Sequence, residues 1–322
     1  MKIVWVLILL LLFGPVFASE SFRGLEMKRF AEELAKESDY NAAEVMEVLN
    51  SAEYRKIVID RIRRPAEKTL SWREYQDIFL DEKRRDGGVF FMKNNREDLS
   101  KAEKNFGVPP EVVTAIIGIE TRYGRITGNH PVLDTIATLS FFYEPRSYFF
   151  REELKELFLM VREENLPIKE LKGSYAGAMG MAQFIPSSFR KYAIDYDKDG
   201  FRDIWHGYTD VIGSVANYLY EHGWKKNDEI AVQVSPACFS EVSSKDKHGV
   251  NPGVLSHCFR NSGSVYKTMD QIMLPMKLIG KEKVEYWLGF WNFSVITKYN
   301  RSNLYAMAVY HLSRSFEADD PD

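Results

Sequence analysis

One carboxylic acid stands near the end of an otherwise apolar segment, where it could act as a general acid. In residues 109–124, Glu120 is the only acid after the first turn. On a helix, Ile117 and Ile116 lie three and four positions before it and share its face. A carboxyl group held against apolar side chains loses solvation, which raises its pKa and keeps it protonated near neutral pH. Glu120 is therefore a candidate proton donor, and the alternative is a carboxylate at the solvated rim of a core helix.

A second group of acids has the spacing of a calcium-binding loop. Residues 195–200 place aspartates at loop positions 1, 3 and 5 and a glycine at position 6, as at the start of an EF-hand. Position 12 is His206 instead of glutamate, so a longer loop would have to close four residues later. The predicted oxygen ligands are Asp195, Asp197, Asp199, the carbonyl group of Phe201, and Asp210. The alternative is an acidic surface turn without an ion.

The two cysteines offer a third kind of chemistry. Cys238 and Cys258 are the only ones in the chain and stand 20 positions apart, a spacing that does not suit a metal site. In an oxidising compartment, a bridge between them would contribute about 3 kcal/mol to stability. The even number favours this disulfide, and the alternative is two free thiols.

The elements that would position these residues are mostly helices. Hydrophobic periodicity predicts a helix over 89–106, the helix that carries Glu120, and an amphipathic helix over 151–164. Ser302 is a candidate cap for a last helix. A turn is predicted at 86–88, where an aspartate is followed by two glycines.

Two segments depart from the helical pattern. Between 173 and 180, three glycines and two alanines in eight residues predict a close approach of the backbone to a helix or to a ligand. Residues 229–279 lose helical periodicity and alternate short apolar runs with serine, glycine and proline. They predict a small strand-rich insertion that carries both cysteines.

The bulk composition excludes two classes of protein. The chain has 322 residues, of which 28% are charged, and its formal net charge is −3. This balance matches neither a nucleic-acid-binding surface nor a disordered polyanion. A hydrophobic fraction of 45% is enough for a substantial core, so one large or two smaller domains are expected.

Residues 1–18 have the pattern of a signal peptide. Lys2 supplies the positively charged n-region, residues 3–13 form the apolar h-region, and Ala18 ends a cleavage site of small residues. The run is shorter than the roughly 20 residues that a spanning helix needs, so cleavage is favoured over an uncleaved membrane anchor. No cysteine stands at the cleavage site to carry a lipid, and no later stretch is apolar enough to span a membrane. We therefore expect a soluble exported protein.

Four motifs, in this order, resemble those of one family, the lytic murein transglycosylases of the B type. They are the helix end at 118–124, the glycine-rich block at 173–188, the run at 212–218 and the C-terminal pattern at 299–309. Each motif is short, but four in the correct order make the resemblance specific. It covers about residues 70 to 312, and the missing lipidation cysteine points to a soluble, periplasmic form.

The resemblance implies a mainly α fold, with a lysozyme-like α+β core, an additional helical region and a small β-rich insertion. The chain then has a signal peptide at 1–18 followed by four parts. These four are an N-terminal helical region at 19–107, a catalytic core with an EF-hand-like loop at 108–224, the β-rich insertion at 225–285, and a C-terminal return segment and helix at 286–322.

The resemblance also implies a substrate and a set of site residues. The substrate is the glycan strand of peptidoglycan, cleaved at the β-1,4 bond between N-acetylmuramic acid and N-acetylglucosamine to leave a 1,6-anhydro end. Glu120 is implied as the single catalytic acid and base, without a catalytic cofactor, and calcium as a structural ion of the 195–210 loop. The implied substrate-binding residues are Ser174, Gln183, Tyr75, Tyr148, Tyr218, Tyr299, Asn300 and Tyr305. Whether the protein joins cell-wall enzyme complexes is left open.

A single acid suffices only if the attacking group belongs to the substrate. Ordinary glycosidases place two carboxylates around the scissile bond, whereas here the C6 hydroxyl of the muramyl sugar would attack. Two alternatives stay open. One is a hydrolytic muramidase with a second acid facing Glu120, for which Asp134 and Glu144 are nearest in sequence. The other is a non-catalytic peptidoglycan-binding protein.

Overall fold

The computed structural model describes residues 14–63, 70–243 and 274–317, and their secondary structure is mainly α-helical, as predicted. The described helices are α1 (Gly14–Glu37), α2 (Ala42–Asn50), α3 (Lys56–Ile62), α4 (Trp72–Phe79), α5 (Glu82–Asn94), α6 (Arg96–Phe106), α7 (Pro110–Thr121), α8 (Val132–Phe142), α9 (Ser147–Glu163), α10 (Pro186–Tyr192), α11 (Tyr208–Glu221), α12 (Pro236–Ser243), α13 (Trp291–Tyr299) and α14 (Asn303–Glu317). The described strands are β1 (His130–Pro131), β2 (Lys172–Gly173), β3 (Ala231–Gln233), β4 (Leu274–Ile279) and β5 (Val284–Gly289).

The chain folds as two compact units, each assembled from separate segments. The first takes the described residues within 1–63, 129–178 and 185–187. The second takes those within 64–128, 179–184 and 188–322. Most of the predicted signal peptide lies outside the described residues, and α1 runs through its predicted cleavage position. Among the helices that the structure describes, none has both the length and the apolarity needed to cross a bilayer.

The first unit is built on the hairpin of α8 and α9. The predicted amphipathic face of α9 is confirmed, since Leu154, Leu157, Phe158 and Val161 are all buried. The hydroxyl group of Tyr40 donates to the Phe158 carbonyl oxygen at 2.7 Å. The strands β1 and β2 form a short antiparallel ladder, which closes the glycine-rich segment back onto the start of α8.

The second unit is built around α7, in which nine of the twelve residues are buried. A helix that is apolar on all sides belongs in the core, and α5, α6, α11 and α14 pack against α7. Its start follows the sequence pattern, because Pro110 occupies the first turn, where the missing N–H costs no intrahelical bond. The face of α14 that meets the core carries Tyr305, Ala308, Val309 and Leu312, all buried.

The predicted turn at 86–88 is wrong, because α5 continues through it. Asp81 caps α5 by accepting the N–H of Arg84 at 3.1 Å, so the helix starts before the two glycines. The glycines serve packing instead. A Cβ atom on Gly87 would lie 2.8 Å from the Tyr123 ring. A Cβ atom on Gly88 would lie 2.7 Å from the Tyr123 hydroxyl oxygen. The helix predicted over 89–106 is also broken in two at Asn95.

The strand-rich insertion is partly described. Strands β3, β5 and β4 form an antiparallel sheet in that order. Its buried cluster joins Leu288 and Phe290 to Val234 and to Cys238 and Val242 of α12. The helix α12 was not predicted. Cys258 lies outside the described residues, and the predicted disulfide with it.

We expect Gly118→Ala in α7 to destabilise the second unit by about 1–3 kcal/mol, the usual cost of overpacking a dense core. A Cβ atom at this position would lie 2.5 Å from the Tyr123 hydroxyl oxygen. Urea unfolding followed by circular dichroism measures the change. Gly24→Ala in α1 is the matched control, because nothing lies within 4 Å of a Cβ atom there. An unchanged midpoint for Gly118→Ala would contradict the packing argument.

Candidate active site

Glu120 occupies the next-to-last position of α7 and is half-buried. The residues one turn before it, Ile116 and Ile117, are fully buried, as predicted. Its side chain has a specific partner: the hydroxyl group of Tyr305 in α14 donates to Glu120 Oε1 at 2.7 Å. Tyr305 is itself only 2% exposed. The carboxyl group is thus both accessible at the end of the helix and held in one orientation from the buried side.

The backbone reverses immediately after Glu120. Arg122, Tyr123 and Gly124 all have left-handed backbones, with φ of 50°, 60° and 81°. Such conformations cost a non-glycine residue of order 1 kcal/mol each and persist only when the surroundings enforce them. Here the Tyr123 hydroxyl donates to the Arg84 carbonyl oxygen at 2.7 Å, which supplies part of that enforcement.

Thr121 holds the same turn from the inside, a role that the sequence analysis missed. Its hydroxyl group lies 3.2 Å from both the Ile117 and Met181 carbonyl oxygens and accepts the N–H of Gly124 at 3.0 Å. The position of Thr121 in the last turn of the helix could have predicted this bond, because a threonine there often bonds to the carbonyl group four residues earlier. The turn therefore joins α7 to the loop at 179–184.

Three of the predicted tyrosines form one buried group beside Glu120. The rings of Tyr299 and Tyr305 are stacked at 6.4 Å with an interplanar angle of 10°, and Tyr218 lies 4.7 Å from Tyr299. The hydroxyl groups of Tyr299 and Tyr218 donate to the carbonyl oxygens of Ala182 and Lys298, both at 2.6 Å. Each of these two hydroxyls is therefore already bonded to backbone.

Burial controls the protonation of this group. Desolvation raises the pKa of Tyr299 and Tyr305 well above the ordinary value, and the nearby charge of Glu120 raises it further. Desolvation also raises the pKa of Tyr218. All three phenols stay protonated at any physiological pH, so Tyr305 acts as a permanent hydrogen-bond donor to the carboxyl group.

Gln183 anchors the loop at 179–184. Its backbone is left-handed, with φ of 49°, and its amide nitrogen donates to the carbonyl oxygens of Thr127 and Gly180 at 3.0 and 2.9 Å. An isolated bridge between Met179 and Phe184 closes the same loop. The side chain that the sequence predicts as substrate-binding is therefore engaged in holding this loop.

The other predicted substrate residues are distributed over both units. Tyr75 in α4 is 1% exposed and stacks on Phe79 at 4.4 Å, and Asn300 directly follows α13. Both belong to the unit that contains Glu120. Ser174 and Tyr148 belong to the first unit. The Ser174 hydroxyl accepts two N–H groups of its own tight turn, at 3.2 and 3.1 Å, and Tyr148 is 77% exposed.

The acidic loop brings three carboxylates together. Asp195, Asp197 and Asp210 each offer an oxygen, and these oxygens lie within 4.8 Å of one another. Asp210 is 3% exposed and accepts the N–H groups of Tyr196 and Asp203 at 2.6 and 2.8 Å. The start of α11 is thereby tied to the start of the loop. The set has the hard oxygen donors that calcium prefers.

The other predicted members of the loop have different neighbours. The N–H of Asp199 donates to Asp195 Oδ1 and Asp197 Oδ1 at 3.0 and 3.1 Å, while its own carboxylate accepts the N–H of Phe201 at 2.9 Å. His206 lies 3.4 Å from Asp203, with an 86% exposed side chain. The loop therefore closes through Asp210 rather than through position 12 of the EF-hand pattern.

Comparison with known sequences identifies related proteins over most of the chain. The family model described as transglycosylase SLT domain matches residues 24–314. The chain is 33% identical over 309 residues to the membrane-bound lytic murein transglycosylase B of Escherichia coli (strain K12). That match covers 89% of this chain and 81% of that protein.

Solved structures give the same result. Soluble lytic transglycosylase SltB1 from Pseudomonas aeruginosa has a TM-score of 0.81 at 40% identity, covering 91% of this chain and 98% of that one. The Escherichia coli lytic transglycosylase Slt35 in complex with calcium has a TM-score of 0.77 at 32% identity, covering 91% and 92%. These matches confirm the predicted fold class, a mainly α fold with a lysozyme-like core.

Proposed function

Because the chain belongs to the transglycosylase SLT domain family and is a lytic murein transglycosylase acting on peptidoglycan, we propose that Glu120 is its single catalytic acid and base. The observation that carries this assignment is the 2.7 Å hydrogen bond from the buried Tyr305 to a half-buried carboxyl group. A carboxyl group held this way meets the geometric requirement for general acid–base catalysis, a fixed direction toward the reacting atoms.

The reaction uses the two oxygens of Glu120 differently. Since Tyr305 donates to Oε1, the proton of the acid form sits on the other oxygen, Oε2. That proton passes to the glycosidic oxygen as the bond to C1 of the muramyl sugar breaks. The resulting carboxylate then accepts the proton of the C6 hydroxyl group as this oxygen bonds to C1. The product is a 1,6-anhydro end, with no water consumed and no cofactor required.

Intramolecular attack replaces the second carboxylate of an ordinary glycosidase. The C6 hydroxyl is tethered to the reacting ring, so its effective concentration is high and no water molecule must be positioned. Tyr75, Tyr218, Tyr299 and Asn300 support the substrate site. The three tyrosine rings pack against other aromatic rings, so they shape the walls of the site rather than stack on sugars. Ser174, Gln183 and Tyr148 provide further contacts to the glycan strand.

Calcium is the structural ion of the 195–210 loop. Asp195, Asp197 and Asp210 supply three carboxylates at ligand spacing, and the related Slt35 is known in complex with calcium. The ion would stabilise the junction of the loop with α11 and take no part in the reaction.

Export to the periplasm follows from the substrate and from the signal-peptide pattern at 1–18. There, the bridge between Cys238 and Cys258 would form. Residues 108–224 are the catalytic core, 19–107 the helical region before it and 225–285 the insertion after it. Residues 286–322 supply the tyrosines that reach back to the core.

We expect Glu120→Gln to reduce turnover by about 100-fold or more, the range that a lost general acid and base produces. Clearing of a murein suspension measures the rate. Mass spectrometry of the digest identifies the wild-type ends, which should be lighter than hydrolysed ends by one water. Glu111→Gln, in the first turn of the same helix, is the matched control. Equal clearing by wild type and Glu120→Gln would refute the assignment, and hydrated ends would indicate a hydrolytic muramidase.

Tyr305→Phe tests the orientation of the acid. Loss of a hydrogen bond to a charged group should lower kcat by about 10- to 100-fold and leave KM unchanged. The matched control is Tyr310→Phe on the same helix, for which we expect wild-type kinetics. Steady-state assays on soluble glycan strands give both parameters. An unchanged kcat for Tyr305→Phe would show that the hydrogen bond does not matter to the reaction.

Saturating calcium should raise the melting temperature by about 5 °C, and a chelator should reverse the shift, because an ion that binds only the folded state stabilises it. Differential scanning calorimetry on the full chain measures this. The response should disappear in Asp210→Asn and persist in Asp39→Asn, an exposed aspartate far along the sequence from the loop. A melting temperature that neither calcium nor chelator changes would exclude the structural ion.

A further inference from the structure

The last part of the acidic loop, residues 203–208, is connected to the backbone turn at 121–124 that follows Glu120. Both segments belong to the second unit. Two separate hydrogen-bonded routes join them: the first passes through the loop at 179–184, and the second is direct. No residue on either route is among those that the sequence predicts as catalytic or substrate-binding.

The first route runs through backbone groups of the core. The Ile204 carbonyl oxygen accepts the N–H of Met181 at 2.7 Å. The carbonyl oxygen of Met181 then lies 3.2 Å from the Thr121 hydroxyl oxygen, which shares its proton between this acceptor and the Ile117 carbonyl oxygen. Ile204, Met181 and Thr121 are all buried. Hydrogen bonds that are shielded from water in this way are stronger than exposed ones, so the route is stiff.

Gly180 allows the two loops to approach each other this closely. Its backbone is left-handed, with φ of 63°, and a Cβ atom there would lie 2.4 Å from the Ile204 carbonyl oxygen. The glycine-rich sequence predicts a close approach to a helix or to a ligand, and at Gly180 the neighbour is instead the acidic loop. Because densely packed groups transmit displacements, a shift of Ile204 also moves the loop at 179–184.

The second route depends on Tyr208, the first residue of α11. Its hydroxyl group donates to the Tyr123 carbonyl oxygen at 3.2 Å. The Tyr208 ring packs edge-on against Phe91 at 5.0 Å, and Phe91 also packs against the Tyr123 ring at 5.5 Å. Tyr123 has one of the left-handed backbones of the turn. Such a backbone persists only where its surroundings support it, and Tyr208 supplies part of that support.

Asp210 connects the loop ends of both routes. Its Oδ2 atom accepts the N–H of Asp203, the residue before Ile204, at 2.8 Å. It also follows Tyr208 by two residues in α11. One buried carboxylate therefore links the starting points of the two routes.

We propose that residues 203–208 position the catalytic acid, with Thr121 and Tyr208 as the positioning residues. This role is separate from ion binding, and the inference rests on the proposed function of Glu120. Tyr305 fixes the side chain of the acid, and the two routes fix the backbone that follows it. The acid is then constrained through both its side chain and its backbone, as a fixed direction toward the reacting atoms requires.

Thr121→Val removes the hydroxyl group of the first route and keeps the size of the side chain. It should lower kcat about fivefold and leave KM unchanged, because it removes one hydrogen bond that orients the acid and none that binds substrate. Steady-state assays on soluble glycan strands measure both parameters, at a temperature where urea unfolding shows every variant to be folded. Thr121→Ser keeps the hydroxyl group and should behave like wild type.

The matched control is Thr114→Val, the same substitution in the same helix. Thr114 is also fully buried, but its hydroxyl group has no hydrogen-bond partner among the described residues. We expect wild-type kinetics for it. Equal kcat values for Thr121→Val and Thr114→Val would overturn the proposal.

Tyr208→Phe tests the second route and should also lower kcat, by about threefold to fivefold, with KM unchanged. Its control is Tyr220→Phe on the same helix, where the side chain is 51% exposed. The double variant Thr121→Val/Tyr208→Phe should lose at least the product of the two single effects, since each route alone still supports the turn. A double variant no slower than Thr121→Val would overturn the arrangement of two routes.

The Glu120→Gln protein separates this proposal from the assignment of the acid. Adding Thr121→Val to it should leave the residual turnover unchanged, because no acid remains to be positioned. A further loss of the same factor would show that Thr121 acts in another way and would overturn the proposal. Wild-type turnover by Glu120→Gln itself would instead count against the proposed reaction.

Discussion

The proposed active site depends on one hydrogen bond, from the Tyr305 hydroxyl to Glu120 at 2.7 Å. It joins the end of a buried helix to a helix almost two hundred residues later in the chain. The bond needs a phenol that stays protonated and a carboxyl group that cannot rotate away. Burial provides the first by raising the pKa of Tyr305, and the hydrogen bond itself fixes the carboxyl group at the end of a helix whose preceding turn is fully buried.

The surroundings of this bond are organised to maintain it. The Tyr299 hydroxyl bonds to the Ala182 carbonyl oxygen, which links α13 to the loop at 179–184. The Tyr218 hydroxyl bonds to the Lys298 carbonyl oxygen, which links α11 to α13. The left-handed turn after Glu120 is held by Thr121 and Tyr123. Three glycines, Gly87, Gly88 and Gly118, leave room for the Tyr123 ring. Strain in the backbone is thus offset by packing and hydrogen bonds close by.

Local patterns predicted the local features correctly. The apolar spacing predicted the buried helix α7 with Glu120 near its end, and the periodicity of α9 predicted its buried face. Patterns failed where a distant residue decides the outcome. The glycines at 87 and 88 suggested a turn, yet they lie inside α5 and leave room for the Tyr123 ring. The helix break at Asn95 and the helix α12 were also missed.

The sequence by itself determined the mainly helical class, the single acid on an apolar helix, the aspartate-rich loop and, through four short motifs, the resemblance to a family. These depend on residue types and on spacing within one element. Only the tertiary structure decided that Tyr305 donates to Glu120, that Asp210 rather than His206 closes the loop, and that Tyr208 donates to the turn after Glu120. Each of these joins residues that are distant in sequence, and only packing brings such residues together.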